Sequence, residues 1–143
     1  VLGGFPLQDV KVCVYDGTDH PADSKDIAFQ YAATQAMREA LLQAKPILLE
    51  PLALIKVRVP DRFTGDVISD LNTRRGRILG MDSEGSVSVV SAHVPLAEIQ
   101  AYSADLRSMT GGRGAYSLKV DRYETVPQQT ADKVLADLKQ AAS

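Results

Sequence analysis

The chain has 143 residues, of which 45% are hydrophobic and 24% are charged, and its formal net charge is −2. This length and composition are typical of one or two small globular domains and exclude a disordered, collagen-like or membrane-spanning chain. They also exclude a nucleic-acid binder that relies on a basic excess, so any contact with nucleic acid must come from a local patch. Cys13 is the only cysteine, which excludes an internal disulfide and indicates a reducing, cytoplasmic compartment.

The first third of the chain contains one predicted strand and one predicted helix. Residues 8–15 alternate between apolar and other side chains, which predicts a half-buried strand. A loop over 16–21 contains the turn signals Asp-Gly and Pro. The helix is predicted over 25–44, with Asp23 or Ser24 as the candidate N-cap.

One strand and one helix cannot bury enough surface to form a domain. Residues 1–47 are therefore interpreted as the C-terminal part of an incomplete α+β domain. Because the chain also begins at Val1 without an initiator Met, we expect the partner strands to lie upstream in a longer protein. An unpaired strand of this kind could also pair between two chains.

Residues 48–143 have enough elements for a complete domain. Predicted strands and helices alternate in the order strand, helix, strand, strand, helix, strand, followed by a terminal helix. The predicted strands cover 54–59, 77–81, 87–94 and 115–123, with a hairpin turn at 82–85, and the helices cover 61–73, 96–109 and 128–142. This order predicts a ferredoxin-like βαββαβ sandwich of the α+β class, in which two helices cover one face of an antiparallel sheet.

A weak internal repeat supports the sandwich. The dipeptides Val59-Pro60 and Val94-Pro95 each close a predicted strand, and Asp70-Leu71 and Asp105-Leu106 follow them in the next helices. Both pairs recur 35 residues apart, as expected for two βαβ halves related by pseudo-symmetry.

The alternation of the strands assigns side chains to the two faces of the predicted sheet. Tyr116, Leu118 and Val120 are expected to face the helices. The exposed face is expected to carry polar side chains, namely Lys56, Arg58, Ser88, Ser117 and Lys119. None of these is aromatic, which disfavours stacking of RNA bases and favours packing against another domain of the same protein.

No sequence motif indicates catalysis or a bound cofactor. The chain lacks a P-loop, a dinucleotide-binding glycine motif and a C-x-x-C pair, and its two histidines, His20 and His93, lie in different domains. A zinc site and a Ser-His-Asp triad are therefore not expected. His20 is either a solvent-exposed loop residue or a loop-tip donor that contacts RNA or another partner.

Arg74, Arg75 and Arg77 cluster at the C-terminal end of the first helix of the second domain. One interpretation is compensation of the helix dipole, worth about 0.3–1 kcal/mol for each cation. The other is a phosphate clamp, because the guanidinium fork matches phosphate oxygens. Arg107 and Arg113 occupy the equivalent corner after the second helix, and they share one end of the sandwich if the helices lie side by side.

Several collinear motifs resemble the elongation factor G family, and together they cover essentially the whole chain. Asp16-Gly17-Thr18-Asp19-His20, with the helix start that follows, resembles the tip-and-helix segment of domain IV. Leu49-Glu50-Pro51 resembles the entry to domain V. The motifs that resemble the two halves of domain V are 65–71 with 74–76, and then 94–98, 105–108 and 112–114.

The resemblance implies a translational GTPase that binds the ribosome and promotes translocation of tRNA and mRNA. Domain IV would reach the decoding site of the small subunit, and domain V would contact ribosomal RNA and protein of the large subunit. GTP and Mg²⁺ would bind an N-terminal domain outside this chain, so no cofactor is expected in residues 1–143. Other domains of the same protein would be further partners.

The same resemblance suggests which residues contact the ribosome. His20 would be the tip histidine of domain IV, together with Gly17, Thr18 and Asp19. The candidate RNA contacts of domain V are Arg74, Arg75, Arg77 and Arg113. The family usually has an aromatic residue where this chain has Asp19, so a paralogue with altered translocation activity and a ribosome-protection relative both stay open.

Two further functions stay open. The predicted sandwich could be a small acylphosphatase-like enzyme, although Asp61 at its first strand–helix corner would repel an anion. It could also be a regulatory ligand-binding domain, for which the sequence offers no specific pocket.

Overall fold

The computed structural model describes residues 2–22 and 24–141, and the chain forms two compact units. Unit 1 contains residues 1–48 and 126–143, and unit 2 contains residues 49–125. The terminal helix, which the sequence analysis grouped with residues 48–143, thus belongs with the first 48 residues. Two observations explain this grouping: the Val126 amide donates to the Leu48 carbonyl at 2.9 Å, and a Cβ on Gly3 would lie 2.9 Å from Leu138 Cδ1.

In its described part, unit 1 contains the helices α1 (Asp26–Gln43) and α4 (Gln128–Ala141). Both agree with the predicted ranges to within one residue among the described residues. The predicted N-cap is wrong for Ser24, because the cap residue is Lys25 and makes no side-chain hydrogen bond to the helix. Ser24 Oγ instead accepts from the His20 amide at 2.5 Å and donates to the His20 carbonyl at 2.6 Å. The other candidate, Asp23, lies outside the described residues.

The predicted strand over 8–15 is not formed, because this segment has no regular secondary structure. A strand requires hydrogen bonds to a neighbouring strand, and no other described segment of unit 1 provides one. The apolar side chains of the segment are consequently exposed, with Val14 at 86% and Tyr15 at 94%. Helix α1 likewise contains no buried residue.

Unit 2 is built on four strands and two α-helices. The strands are β1 (Leu49–Pro60), β2 (Arg77–Glu84), β3 (Val87–Pro95) and β4 (Ala115–Thr125), and the helices are α2 (Thr64–Thr73) and α3 (Tyr102–Thr110). A short 3₁₀ helix precedes each α-helix, at Asp61–Phe63 and at Leu96–Ile99. The predicted helices over 61–73 and 96–109 therefore each begin with a 3₁₀ turn, immediately after the prolines that close β1 and β3.

The strand order is β2-β3-β1-β4, and every neighbouring pair is antiparallel. This order confirms the predicted α+β class and ferredoxin-like sandwich. The core lies between the sheet and the two helices and consists of Ile55, Val57, Val59, Val67, Leu71, Val90, Ala92, Val94, Ile99, Tyr102 and Leu106. No helix among the described residues is long and apolar enough to cross a bilayer.

Two local expectations about the sheet are corrected. The hairpin turn is at Gly85-Ser86 and not at 82–85, because β2 remains paired to Glu84 and Gly85 supplies the positive φ of 71° that a two-residue hairpin requires. Ser88 does not lie on the exposed face. Its side chain lies on the same face of β3 as that of Val90, because the two residues are two positions apart. It is buried, and its hydroxyl donates to Asp61 Oδ1 at 2.6 Å.

Tyr116, Leu118 and Val120 occupy the face that carries the core residues, as predicted, because they pair with Val57, Ile55 and Ala53. They are nevertheless between 37% and 49% exposed. Strand β4 is an edge strand, so it has a neighbour on one side only and its side chains are covered incompletely.

We predict that Gly76→Ala destabilises unit 2 by about 1–3 kcal/mol, because overpacking against backbone cannot be relieved by a side-chain rotation. A Cβ at Gly76 would lie 2.5 Å from the Leu71 carbonyl oxygen, whereas a Cβ at Gly80 would meet nothing within 4 Å. Urea unfolding of the two variants measures the difference. Equal midpoints for Gly76→Ala and the matched Gly80→Ala would contradict the prediction.

Candidate functional site

The loop over 16–20 is exposed throughout. Its shape is held locally, because the Gly17 amide donates to Asp16 Oδ1 at 2.8 Å and the His20 backbone is bonded to the Ser24 hydroxyl. The side chains of Thr18, Asp19 and His20 make no hydrogen bond or ion pair with any described residue. These three side chains are therefore available to an external partner.

Arg74 lies in a network that joins the two helices of unit 2. Its guanidinium donates to Asp70 Oδ2 at 2.8 Å, to Asp105 Oδ2 at 2.6 Å and to the Glu98 carbonyl at 2.9 Å, and it lies over the Tyr102 ring at 5.2 Å. Hydrogen bonding to Asp70 is the main cause that raises the pKa of Arg74, with a further contribution from Asp105. The two aspartates of the internal repeat thus hold one arginine, and its donors are largely occupied.

Arg75 is bound as firmly as Arg74. Its guanidinium pairs with both carboxylate oxygens of Glu50, at 2.8 and 2.9 Å, and its Nε donates to Glu98 Oε1 at 3.1 Å. Hydrogen bonding to Glu50 is the main cause that raises the pKa of Arg75. Its backbone occupies the left-handed region with a φ of 59°, and the next amide, of Gly76, donates to the Leu71 carbonyl at 2.8 Å. These are features of a Schellman helix terminus.

Arg77 has the most exposed side chain of the three clustered arginines, at 61%. Its closest carboxylate is Glu124, at 3.6 Å, and Glu124 is bound more closely by Arg122 at 2.6 Å. Asp121 connects Arg122 to His93, whose Nε2 lies 3.1 Å from the carboxylate. Of the clustered arginines, Arg77 therefore has the greatest freedom to make an additional contact.

Arg107 and Arg113 do not share an end of the sandwich with the clustered arginines. The end of α2 lies at the start of β1, where Arg75 binds Glu50, whereas the end of α3 leads to Ala115, which pairs with Arg58 near the end of β1. At a rise of about 3.3 Å per residue along β1, Glu50 and Arg58 are about 25 Å apart. The pseudo-symmetry makes the helices antiparallel, which is why their C-termini diverge.

The turn after α3 is exposed and rich in glycine. Gly111 and Gly112 both have positive φ, of 59° and 79°, and the Gly112 amide donates to the Arg107 carbonyl at 2.9 Å. The exposed side chains of Arg107 and Arg113 flank this turn and make no ion pair with any described residue. We call these four residues, Arg107, Gly111, Gly112 and Arg113, the glycine-turn patch. It presents two unpaired cations beside an accessible backbone.

The first strand–helix corner of unit 2 does not resemble an anion-binding cradle. The Asp61 carboxylate lies there and accepts a hydrogen bond from the Ser88 hydroxyl. The Arg62 guanidinium is occupied as well, because it stacks over the Phe63 ring at 4.7 Å. A carboxylate at this position disfavours a phosphate, as expected from the sequence. No group of three or more His, Cys, Asp or Glu residues in the described chain could hold a metal ion.

The carboxylates that neutralise Arg74 and Arg75 were not predicted from the sequence. One local signal was present, because Asp70 and Arg74 are four residues apart on a helix, a spacing that favours an ion pair. Glu50 and Glu98 lie more than twenty residues from Arg75, so no local pattern could have identified them.

We predict that Arg74→Gln lowers the free energy of unfolding of unit 2 by about 2–3 kcal/mol, because it leaves two carboxylates without their shared cation. Arg107→Gln removes the same charge from a side chain without an ion pair, and it should change stability by no more than about 0.5 kcal/mol. Chemical denaturation measures both values. The proposed role of Arg74 fails if the two variants unfold at the same denaturant concentration.

The pKa of Tyr102 should lie above that of an ordinary tyrosine. Burial, followed by the nearby Asp70 charge, raises its pKa from the ordinary 10.0 to about 12, and its hydroxyl has no hydrogen-bond partner among the described residues. The neutral form is therefore favoured in the folded state. The stabilisation that comes from keeping Tyr102 neutral is complete below pH 10 and is lost as the pH rises towards about 12.

An alkaline titration followed by tyrosinate absorbance tests this expectation, because the chain has five tyrosines. One ionisation of the five should occur close to pH 12, and Tyr102→Phe should remove that step alone. Ionisation of all five near the ordinary tyrosine value would contradict the predicted environment of Tyr102.

Comparison with known proteins identifies both parts of the chain. Residues 1–45 match the family described as elongation factor G, domain IV, and residues 47–134 match the elongation factor G C-terminus. Elongation factor G of Aquifex pyrophilus is 47% identical over 137 residues, which are 96% of this chain and 20% of that protein. This chain thus spans about a fifth of the length of that relative.

A solved structure agrees with these matches. A crystal structure of a protein from Thermus thermophilus has a TM-score of 0.82 and 48% sequence identity, and the match covers 98% of this chain and 21% of the other. The family matches extend over nearly the whole sequence, and the identity to the Aquifex protein is far above the level at which membership could be accidental. The chain belongs to the elongation factor G family and corresponds to its C-terminal domains.

Proposed function

We propose that this chain is the ribosome-contacting C-terminal part of a translational GTPase, and that the whole protein promotes movement of tRNA and mRNA on the ribosome. GTP and Mg²⁺ would be bound by another part of that longer protein, and the chain itself would act by contact and shape, without catalysis. Its place of action would be the cytoplasm. Residues 1–47 would end domain IV, and domain V would begin at residue 48.

The observation that carries the proposal is the glycine-turn patch. Double-stranded RNA is recognised mostly by its shape and by contacts to its phosphates and 2′-hydroxyls, and arginines that pair with no described carboxylate suit the phosphate oxygens. Arg74 and Arg75 are less suited to it, because their guanidiniums already bind carboxylates. We therefore assign the main RNA contact of domain V to Arg107 and Arg113, with Arg77 as an additional contact.

The loop over 16–20 is the proposed contact of domain IV with the decoding site. Its backbone is held by local hydrogen bonds, while the side chains of Thr18, Asp19 and His20 have no partner among residues 2–22 and 24–141. A loop that is ordered but unoccupied can bind without a large loss of conformational entropy. His20 would donate to RNA or to a ribosomal protein from this position.

Ribosome binding by the protein that contains this chain tests the proposal. In the double variant Arg107→Gln/Arg113→Gln, we expect affinity at physiological salt to fall about 10-fold or more. The slope of log affinity against log salt should also decrease by about 1–2, since up to two phosphate contacts are lost. Co-sedimentation with ribosomes over a series of salt concentrations measures both quantities.

Arg58→Gln is the matched control, because Arg58 carries the same charge in unit 2 but pairs with Glu84 on the open face of the sheet. Arg58→Gln should leave both the affinity and the salt slope unchanged. His20→Ala in the same assay tests whether the loop over 16–20 contributes to ribosome binding. An unchanged salt slope in the double variant would remove the glycine-turn patch from the account of binding.

A further inference from the structure

Unit 2 is connected to unit 1 at two points in the sequence. The chain enters unit 2 at Leu49 and leaves it after Thr125. These residues are the first of β1 and the last of β4, and they are partners in the sheet. The next pair inward joins Glu50 to Glu124. Both connections therefore pass through the same paired strand ends.

This pairing places two carboxylates at opposite positions of adjacent strands. Like charges directly opposite each other destabilise a strand pair, so these ends should separate easily unless cations neutralise them. Glu50 is held by the two parallel hydrogen bonds from Arg75. Glu124 is held by Arg122 within its own strand and faces Arg77 across 3.6 Å.

Arg75 lies in the short connection between α2 and β2, and Arg77 is the first residue of β2. One short segment thus supplies a cation to each of the two strand ends. Arg75 also binds Glu98, which follows β3 closely in the chain, so its guanidinium links three segments that are distant in sequence. At the other end of the sheet, Arg107 and Arg113 make no ion pair with any described residue, and Arg58 pairs with Glu84 on the open face of the sheet.

The backbone conformation of Arg75 indicates that the contacts of its side chain matter at this position. Its φ of 59° is a conformation that glycine adopts freely and that other residues rarely adopt, and Gly111 has the equivalent position after α3. Glycine would therefore be favoured at position 75 if only the helix terminus mattered. The contacts of the guanidinium with Glu50 and Glu98 provide the compensating interaction.

We propose that Arg75 and Arg77 form a clamp that keeps the ends of β1 and β4 paired at the two connections between the units. Without the clamp, displacement of unit 1 would separate the strand ends before it moved unit 2. With the clamp, the sheet of unit 2 remains paired to its last residues. This inference does not depend on ribosome binding.

Amide hydrogen exchange on the 143-residue chain tests the clamp. In Arg75→Gln, exchange at residues 49, 50, 52 and 122–125 should become about 10-fold or more faster, while the sheet centre at 55–57 and 116–118 should change less than about two-fold. Arg77→Gln should have a smaller effect at 122–125, because its carboxylate is farther away. Glu50→Gln removes one of the two facing carboxylates, so it should accelerate exchange at the strand ends less than Arg75→Gln does, and adding it to Arg75→Gln should make that variant no worse.

Arg58→Gln is again the matched control, since it breaks an ion pair of unit 2 away from the connections. Arg75→Lys keeps the charge but loses the two parallel hydrogen bonds, so it provides an intermediate variant if Arg75→Gln does not fold. Unchanged exchange at the strand ends would overturn the proposal. An equal acceleration at the ends and at the sheet centre would overturn it too, because that result describes a general loss of stability.

Discussion

The position of β1 between β3 and β4 is the constraint on which the rest of unit 2 depends. Ile55, Val57 and Val59 are fully buried on one face of this strand, while Lys56 and Arg58 are exposed on the other. A shift of register by one residue would exchange the two faces and place the charges in the core. Burial of these alternate side chains therefore fixes the register of β1 and the face that it turns to the helices, and the sheet order decides where each helix can end.

The helix ends then decide which arginines are available. Because the two βαβ halves are related by pseudo-symmetry, α2 and α3 are antiparallel, and their C-terminal residues lie at opposite ends of the sheet. At the end of α2, carboxylates from β1, from α2 itself and from the α3 side surround Arg74 and Arg75. At the end of α3, no carboxylate among the described residues reaches Arg107 or Arg113. One residue type thus stabilises the domain at one end and is available for binding at the other.

Unit 1 shows what happens when the same type of pattern lacks a partner. Residues 10–15 alternate as regularly as β1, yet they form no strand among the described residues and their apolar side chains remain exposed. Alternation makes a segment suitable for a sheet, but the hydrogen bonds and the burial must come from neighbouring strands. The exposed loop over 16–20 is instead held by Ser24 and Asp16, which require only local hydrogen bonds.

The sequence by itself determined the features that depend on neighbours along the chain. Hydrophobic periodicity predicted α1, α4 and the βαββαβ order, and the motifs identified the family, because these signals are local. Tertiary structure alone decided that Arg75 binds Glu50 and Glu98, that Ser88 is buried against Asp61, and that Arg113 lies far from Arg74. Those contacts join residues that are far apart in sequence, and only the packing of the strands and helices brings them together or separates them.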